Sequence, residues 1–185
     1  MRDHILQVAE NLFYADGIRA VGVDRLIAEA GIAKASLYRH FASKDELVEA
    51  YLRGRHDRVV AALSQALAAP EVPARERVLL IFDLLAEKAG QPLFRGCAFL
   101  IAVAEQESSE PVLKVAREHK TTIRSLLLGV LRELPLADPD AVAAQIALCY
   151  EGALATFAVH RDPHAAHTGR RCAEVLLDAA LTAAH

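Results

Sequence analysis

Between Ile32 and Lys44 the chain reads IAKASLYRHFASK. Lys34, Arg39, His40 and Lys44 carry or can gain positive charge, Ser36 and Tyr38 carry hydroxyls, and no acid interrupts them. Groups of this kind, crowded on one short segment, suit a polyanion: Lys34, Ser36 and Arg39 can donate to base edges or phosphates, and Tyr38 and His40 to phosphate oxygens. Lys44 falls where a new helix would begin, so its charge would add to exposed backbone amides, a good seat for phosphate. Arg53, Arg55 and Arg58 form a further basic group, which reads as a solvated helix face, with phosphate contact as the alternative. The whole chain holds 21 Lys+Arg against 24 Asp+Glu, a net charge of −3. That balance argues against indiscriminate nucleic-acid coating and makes the cationic segment a local feature.

Other chemistry-bearing residues support less. Cys97, Cys149 and Cys172 are an odd number at wide spacing, which suits a reducing cytoplasm better than secretion. Cys97 near Arg95 could be a redox or electrophile sensor if its pKa were depressed; a buried, inert thiol is the preferred reading. His160, His164 and His167 with Cys172 invite a metal, but His160 and His164 straddle Asp162-Pro163 and do not share one helix, so a polar turn is expected and no metal or cofactor. There is no H-E-x-x-H, G-x-S-x-G, phosphate loop or G-x-G-x-x-G, and no Glu is followed three residues later by His. An enzyme is therefore not expected. The first residues, with Arg2, Asp3 and Glu10, lack the apolar core of a signal peptide, and the uninterrupted apolar runs are short, so no membrane role is expected.

Positioning these residues requires a frame, and the 185-residue sequence predicts a helical one. Alanine and leucine abound, apolar residues recur with a 3.6 period, and Gly and Pro sit between periodic stretches. The spacing predicts an all-α fold of about nine helices: Arg2–Ala15, Val23–Ala30, Lys34–His40, Ser43–Ala68 opened by a Ser43/Glu46 capping box, Pro73–Lys88, Pro92–Gln106, Ser108–Glu133, Asp138–His160 and Asp162–Ala184. Gly31 separates two short helices. Leu26, Ala30, Ile32 and Leu37 flank it at the positions that wedge a helix-turn-helix and leave the outer face of Lys34–His40 free for a major groove. Phe41 reads as core.

At these residues the sequence resembles the tetracycline-repressor (TetR) family of bacterial transcriptional regulators. The likeness rests on Leu12-Phe13, Gly17, the Asp24–Gly31 helix and turn, Leu37-Tyr38-Arg39-His40-Phe41, Ser43-Lys44-Asp45 and Leu47. It covers about the first 52 residues; Phe94-Arg95-Gly96-Cys97 is a weaker echo of some members. The resemblance implies a cytoplasmic homodimer that binds a palindromic DNA operator, usually as a repressor, and releases it when a small ligand binds. Carried over by position, Lys34, Ser36 and Arg39 contact DNA, with Tyr38, His40 and Lys44 on phosphates. The implied division is a DNA-binding domain, 1–45, and a ligand-binding and dimerisation domain, 46–185.

For a mostly apolar effector the candidate lining is Phe82, Leu85, Cys97, Ile101, Glu105, His119, Leu127, Tyr150 and Phe157. Phe94, Cys97 or Ala98, Ile101 and Glu105 are expected at helical spacing on the Pro92–Gln106 helix. The last two helices are expected to form the dimer contact, through Val142, Ile146, Cys149, Ala153 and Phe157 on one, and Ala165, Cys172, Leu176, Ala179 and Ala180 on the other. The alternative is a helical small-molecule-binding or interaction protein without specific DNA binding.

Overall fold

The computed structural model describes residues 1–183. Nine helices and no strands occur among them: α1 (Arg2–Asp16), α2 (Val23–Ala30), α3 (Lys34–His40), α4 (Lys44–Leu67), α5 (Ala74–Ala89), α6 (Ala98–Glu105), α7 (Glu110–Leu131), α8 (Pro139–His160) and α9 (His164–Thr182). The all-α expectation is met, with most helix ends within a residue or two. Ala184, the expected end of α9, lies outside the described residues.

Local chemistry sets several of these ends. Ser43 Oγ accepts the Glu46 amide at 3.1 Å, and the Glu46 carboxylate accepts the Ala42 amide at 2.6 Å, one residue earlier than an ideal capping box. Asp138 accepts the Ala141 amide at 3.0 Å ahead of Pro139, which needs no donor in the first turn.

α6 departs from expectation. It opens at Ala98 rather than Pro92, because Gly96 takes φ +91°, which is incompatible with a helix. A Cβ there would stand 3.2 Å from the Leu154 carbonyl and 3.3 Å from the Ala158 Cβ, so any larger residue would be strained and crowded. Phe94 and Cys97 therefore precede the helix, and the expected single stripe of Phe94, Cys97, Ile101 and Glu105 does not exist.

The chain forms two compact units. The first comprises Met1–Arg58 and Ala98–His119; the second comprises Val59–Cys97 and the chain from Lys120 onward. α4 and α7 each contribute one part to each unit. In the first, Ile5, Phe13, Leu26, Leu37, Phe41, Leu47 and Leu52 are almost wholly buried. In the second, α9 packs on α5 and α8 around Leu79, Phe82, Ile146 and Leu177.

α8 is apolar nearly all round, long and apolar enough by composition to span a membrane, although 44% of that stretch is buried in the protein. This uniformity corrects the expected dimer stripe. Val142, Ile146, Ala153 and Phe157 are buried within their own unit, as is Ala165 of α9, and cannot form an outward face. The outward face of α8 instead carries Leu148, Gly152, Ala155 and Val159, and that of α9 carries Cys172, Val175 and Ala179. Leu148, Val159 and Val175 are 71%, 77% and 60% exposed.

Gly169 permits close approach of α9 to α8. A Cβ there would lie 2.9 Å from the Ala153 Cβ and 3.1 Å from the Phe82 ring. Gly169→Val is expected to cost about 1–3 kcal/mol by overpacking. Gly129→Ala, on an exposed site with nothing within 4 Å, is expected to stabilise by up to about 1 kcal/mol through helix propensity. Urea unfolding of both variants, with shifts of opposite sign, checks this.

Candidate nucleic-acid interface

The corner between α2 and α3 is built on Gly31 in the left-handed conformation, φ 63° and ψ 35°. The Gly31 amide donates to the Ala28 carbonyl and the Ile32 amide to the Ile27 carbonyl, both at 3.2 Å. This reciprocal pair closes the end of α2 and turns the chain at once into α3. The Ala30 carbonyl, left over at the helix end, lies 3.0 Å from His4 Nε2 on α1. Leu26 and Leu37 are buried between the helices, while Ile32 is half-buried at the bend.

With Leu37 facing inward, the rest of α3 faces out. Lys34 and Arg39 are exposed, Tyr38 is 44% exposed, and Ser36 and His40 are half-buried beside them. Phe41 is core, as expected, with the Arg2 guanidinium of α1 4.8 Å from its ring centroid.

Lys44 sits differently from the five α3 candidates. Its ammonium donates to the Ile18 carbonyl at 2.6 Å and is half-buried. Burial pushes its pKa below the usual lysine value, and the charges of Asp45 and Glu105 pull it partly back. It therefore holds the α1–α2 connection to the start of α4. Arg53, Arg55 and Arg58 are engaged by acids: Arg53 pairs with Glu49 at 2.8 Å and Glu118 at 3.2 Å, and Arg55 and Arg58 both pair with Glu10. Arg55 also lies over the Tyr14 ring at 3.8 Å. These pairs favour the solvated-face reading over phosphate contact.

A residue that sequence reasoning assigned elsewhere proves central to this unit. Glu105, the last residue of α6, accepts the Arg19 amide on its carboxylate at 2.8 Å, and its backbone carbonyl accepts Arg19 Nε. Gly17 takes φ +94°, and a Cβ there would strike the Glu105 carboxylate at 2.6 Å. Gly17 was legible as a helix stop, but the carboxylate 88 positions later that exploits its missing side chain was not. Arg19, which reads as plain surface in sequence, is the other half of this clasp.

The nine effector-site candidates divide between the units. Ile101, Glu105 and His119 belong to the first. There His119 is buried, stacked on Phe99 with centroids 3.7 Å apart, its Nδ1 3.2 Å from that of His56. Phe82, Leu85, Cys97, Leu127, Tyr150 and Phe157 belong to the second. Phe82 and Tyr150 meet edge to face at 5.9 Å, and Phe157 tilts against Phe94 at 4.9 Å. Burial pushes the Tyr150 phenol far up, so it stays neutral. A cleft of about 320 Å³ in this unit is lined by other residues, among them Cys149, Gly152, Thr156, Gly169 and Cys172.

A helix-turn-helix with a protruding cationic helix defines a class of DNA-binding proteins, and comparison with known proteins narrows it. The family model for bacterial regulatory proteins, tetR family, matches residues 5–51. The crystal structure of a TetR-family transcriptional regulator from Streptomyces coelicolor is 31% identical, with a TM-score of 0.89 over 97% of this chain and 95% of that one. The transcriptional repressor KstR2 of Mycobacterium tuberculosis is 45% identical over 53 residues, and the transcriptional activator FasR of Mycolicibacterium smegmatis is 39% identical over 66. Those two matches cover 29% and 36% of this chain and only 26% and 30% of the relatives' own lengths. The chain belongs to the TetR family of DNA-binding transcriptional regulators, a family of regulators rather than enzymes.

Glu105→Ala should release residues 17–19 and cost about 1–2 kcal/mol, since hydrogen bonds to a charged group are lost at a part-exposed site. Hydrogen exchange at the Ile18 and Arg19 amides should quicken in the variant. Unchanged exchange would show that the clasp does not order the loop.

Proposed function

We propose that the protein is a homodimeric regulator of the repressor sign, which holds a palindromic operator through two copies of α3 and releases it on binding a small, mostly apolar effector. The observation that carries the DNA half of this reading is the outward face of α3. Lys34 and Arg39 stand exposed with no ion-pair partner among the described residues, while other arginines of the same unit are matched by acids. Lys34, Ser36 and Arg39 would meet bases or backbone, and Tyr38 and His40 would meet phosphates. Lys44 would first have to leave the Ile18 carbonyl, or would serve by placing the first turn of α4 near a phosphate.

Self-association is supported by the face that α8 and α9 leave open. Leu148, Gly152, Ala155 and Val159, with Cys172, Val175 and Ala179, form an uncharged, largely apolar surface. Such a surface suits a twofold contact of helix pairs. A palindrome requires the twofold, with half-sites about 34 Å apart. The division into a DNA-binding part, 1–45, and an effector-binding and dimerising part, 46–185, is proposed on the same basis, as is a cytoplasmic location. The effector site is proposed within the second unit, among Phe82, Leu85, Cys97, Leu127, Tyr150 and Phe157. Ile101, Glu105 and His119 belong to the first unit and are proposed apart from that site, Glu105 as the residue that holds the α1–α2 connection. Only an effector that binds the non-DNA-binding state more tightly can cause release.

Duplexes selected by the purified protein from a random pool should converge on a twofold-symmetric sequence, with affinity falling steeply as salt rises. Tyr38→Ala should weaken binding to all duplexes alike. Arg39→Ala should cost about 1–3 kcal/mol on the selected site and relax its sequence preference. Salt-insensitive binding, or no enriched sequence, contradicts the reading.

Leu148→Asp and Val175→Asp should each yield a monomer by sedimentation with helical content retained, because each buries a charge at the proposed contact. A dimer that persists in both variants would place the contact elsewhere.

A further inference from the structure

Leu37 is the one buried residue of α3, and its direction fixes where every other side chain of that helix points. At 3.6 residues per turn, Ala35 and Arg39 each stand about 160° round the helix from Leu37. They are therefore the two side chains aimed most directly away from the protein, and both are exposed. Four positions apart, they share one ridge and are separated by about 6 Å along the axis, or about two base-pair steps of B-form DNA. Lys34 and Tyr38 lie on one flank of that ridge and Ser36 on the other, nearer the sides of a groove and its phosphates.

The chemistry of the ridge matches two bases and not the other two. In the major groove guanine presents the O6 and N7 acceptors, which a guanidinium meets in a pair. Thymine presents its 5-methyl group, which an alanine methyl meets by apolar contact. Adenine pairs with the amide of Asn or Gln, and cytosine with the acceptor oxygens of Asp or Glu. α3, reading KASLYRH, carries none of these four residue types. Ala35 offers no hydrogen bond, yet it occupies one of the two outermost positions, where apolar contact is what it can supply.

We propose that Ala35 is a specificity-determining residue that reads the 5-methyl group of a thymine in each operator half-site, while Arg39 reads a guanine about two base pairs away. The inference rests on the DNA-binding reading above and adds to it the identity of the bases. A thymine methyl is drawn out of water against the Ala35 methyl, and any other base at that place leaves the contact empty or sets a polar edge against it.

The test starts from the duplex selected by the full chain. Failure to obtain a twofold-symmetric, salt-sensitive duplex overturns the DNA-binding reading and this proposal together. In that duplex each thymine is replaced in turn by deoxyuridine, which lacks only the methyl, and each guanine by 7-deazaguanine, which has C–H in place of N7. Wild type should lose about fourfold in affinity per half-site at one thymine, the worth of one buried methyl. It should lose about tenfold at one guanine, the worth of a hydrogen bond to a charged group. Ala35→Gly should bind the thymine and uracil duplexes equally and still respond to 7-deazaguanine. Arg39→Ala should ignore 7-deazaguanine and keep the preference for thymine over uracil. Each comparison sets two duplexes against one protein, so any general weakening by glycine in the helix cancels. Three results overturn the proposal while leaving the DNA-binding reading in place. They are a wild type indifferent to every thymine methyl, a thymine preference that survives in Ala35→Gly, and a sensitive thymine more than about four base pairs from the Arg39-dependent guanine.

Discussion

The geometry of this protein depends on one backbone conformation, the left-handed turn at Gly31. α3 has only seven residues, too few to persist as a helix in water, so its existence and direction come from its packing. The turn brings Leu37 onto Leu26 and carries the chain on to Phe41, whose ring is buried near α1. Once Leu37 and Phe41 are inside, the remaining side chains of α3 have no choice but to face outward. His4 of α1 reaches the Ala30 carbonyl at this corner, and the connection that leads into α2 is tied by Lys44 at the Ile18 carbonyl and by Glu105 at the Arg19 amide. A helix too short to hold its own direction is thus given one by its neighbours.

Electrostatics reinforces this arrangement. A chain with net charge −3 can still present a cationic probe if cations near it are neutralised where they stand. Glu10 faces Arg55 and Arg58, Glu49 and Glu118 face Arg53, and Asp16 faces Arg25. Such exposed pairs add little stability. Their consequence is that Lys34 and Arg39 on α3 keep their charge unpaired among the described residues, beside neighbours whose charge is matched.

The first 50 residues were nearly transparent to sequence reasoning because their signals are local: Gly31 for the turn, Leu26 and Leu37 for the wedge, Ser43 and Glu46 for the next helix. What could not be read there depends on distant partners. Glu105 reads as one polar member of an apolar helix until Gly17 is seen beneath its carboxylate. Pro92 looks like the start of α6, and only the Leu154 carbonyl against Gly96 explains why the helix waits until Ala98. α8 posed a different problem. Its period was clear but its phase was not, since both the stripe through Ile146 and Ala153 and the one through Leu148 and Ala155 are apolar. Burial separates them, and burial is a property of the packed unit.

Hydroxyl-radical footprinting of the protein on its selected duplex tests the central claim most directly. Two copies of α3 entering successive major grooves should protect two backbone patches on one face of the DNA, about 10 base pairs apart and related by a twofold. Wild-type protein should give both patches, and a variant neutral at Lys34 and Arg39 should give neither while keeping its fold. A single patch, an unbroken smear, or protection that survives the loss of both side chains would contradict the account.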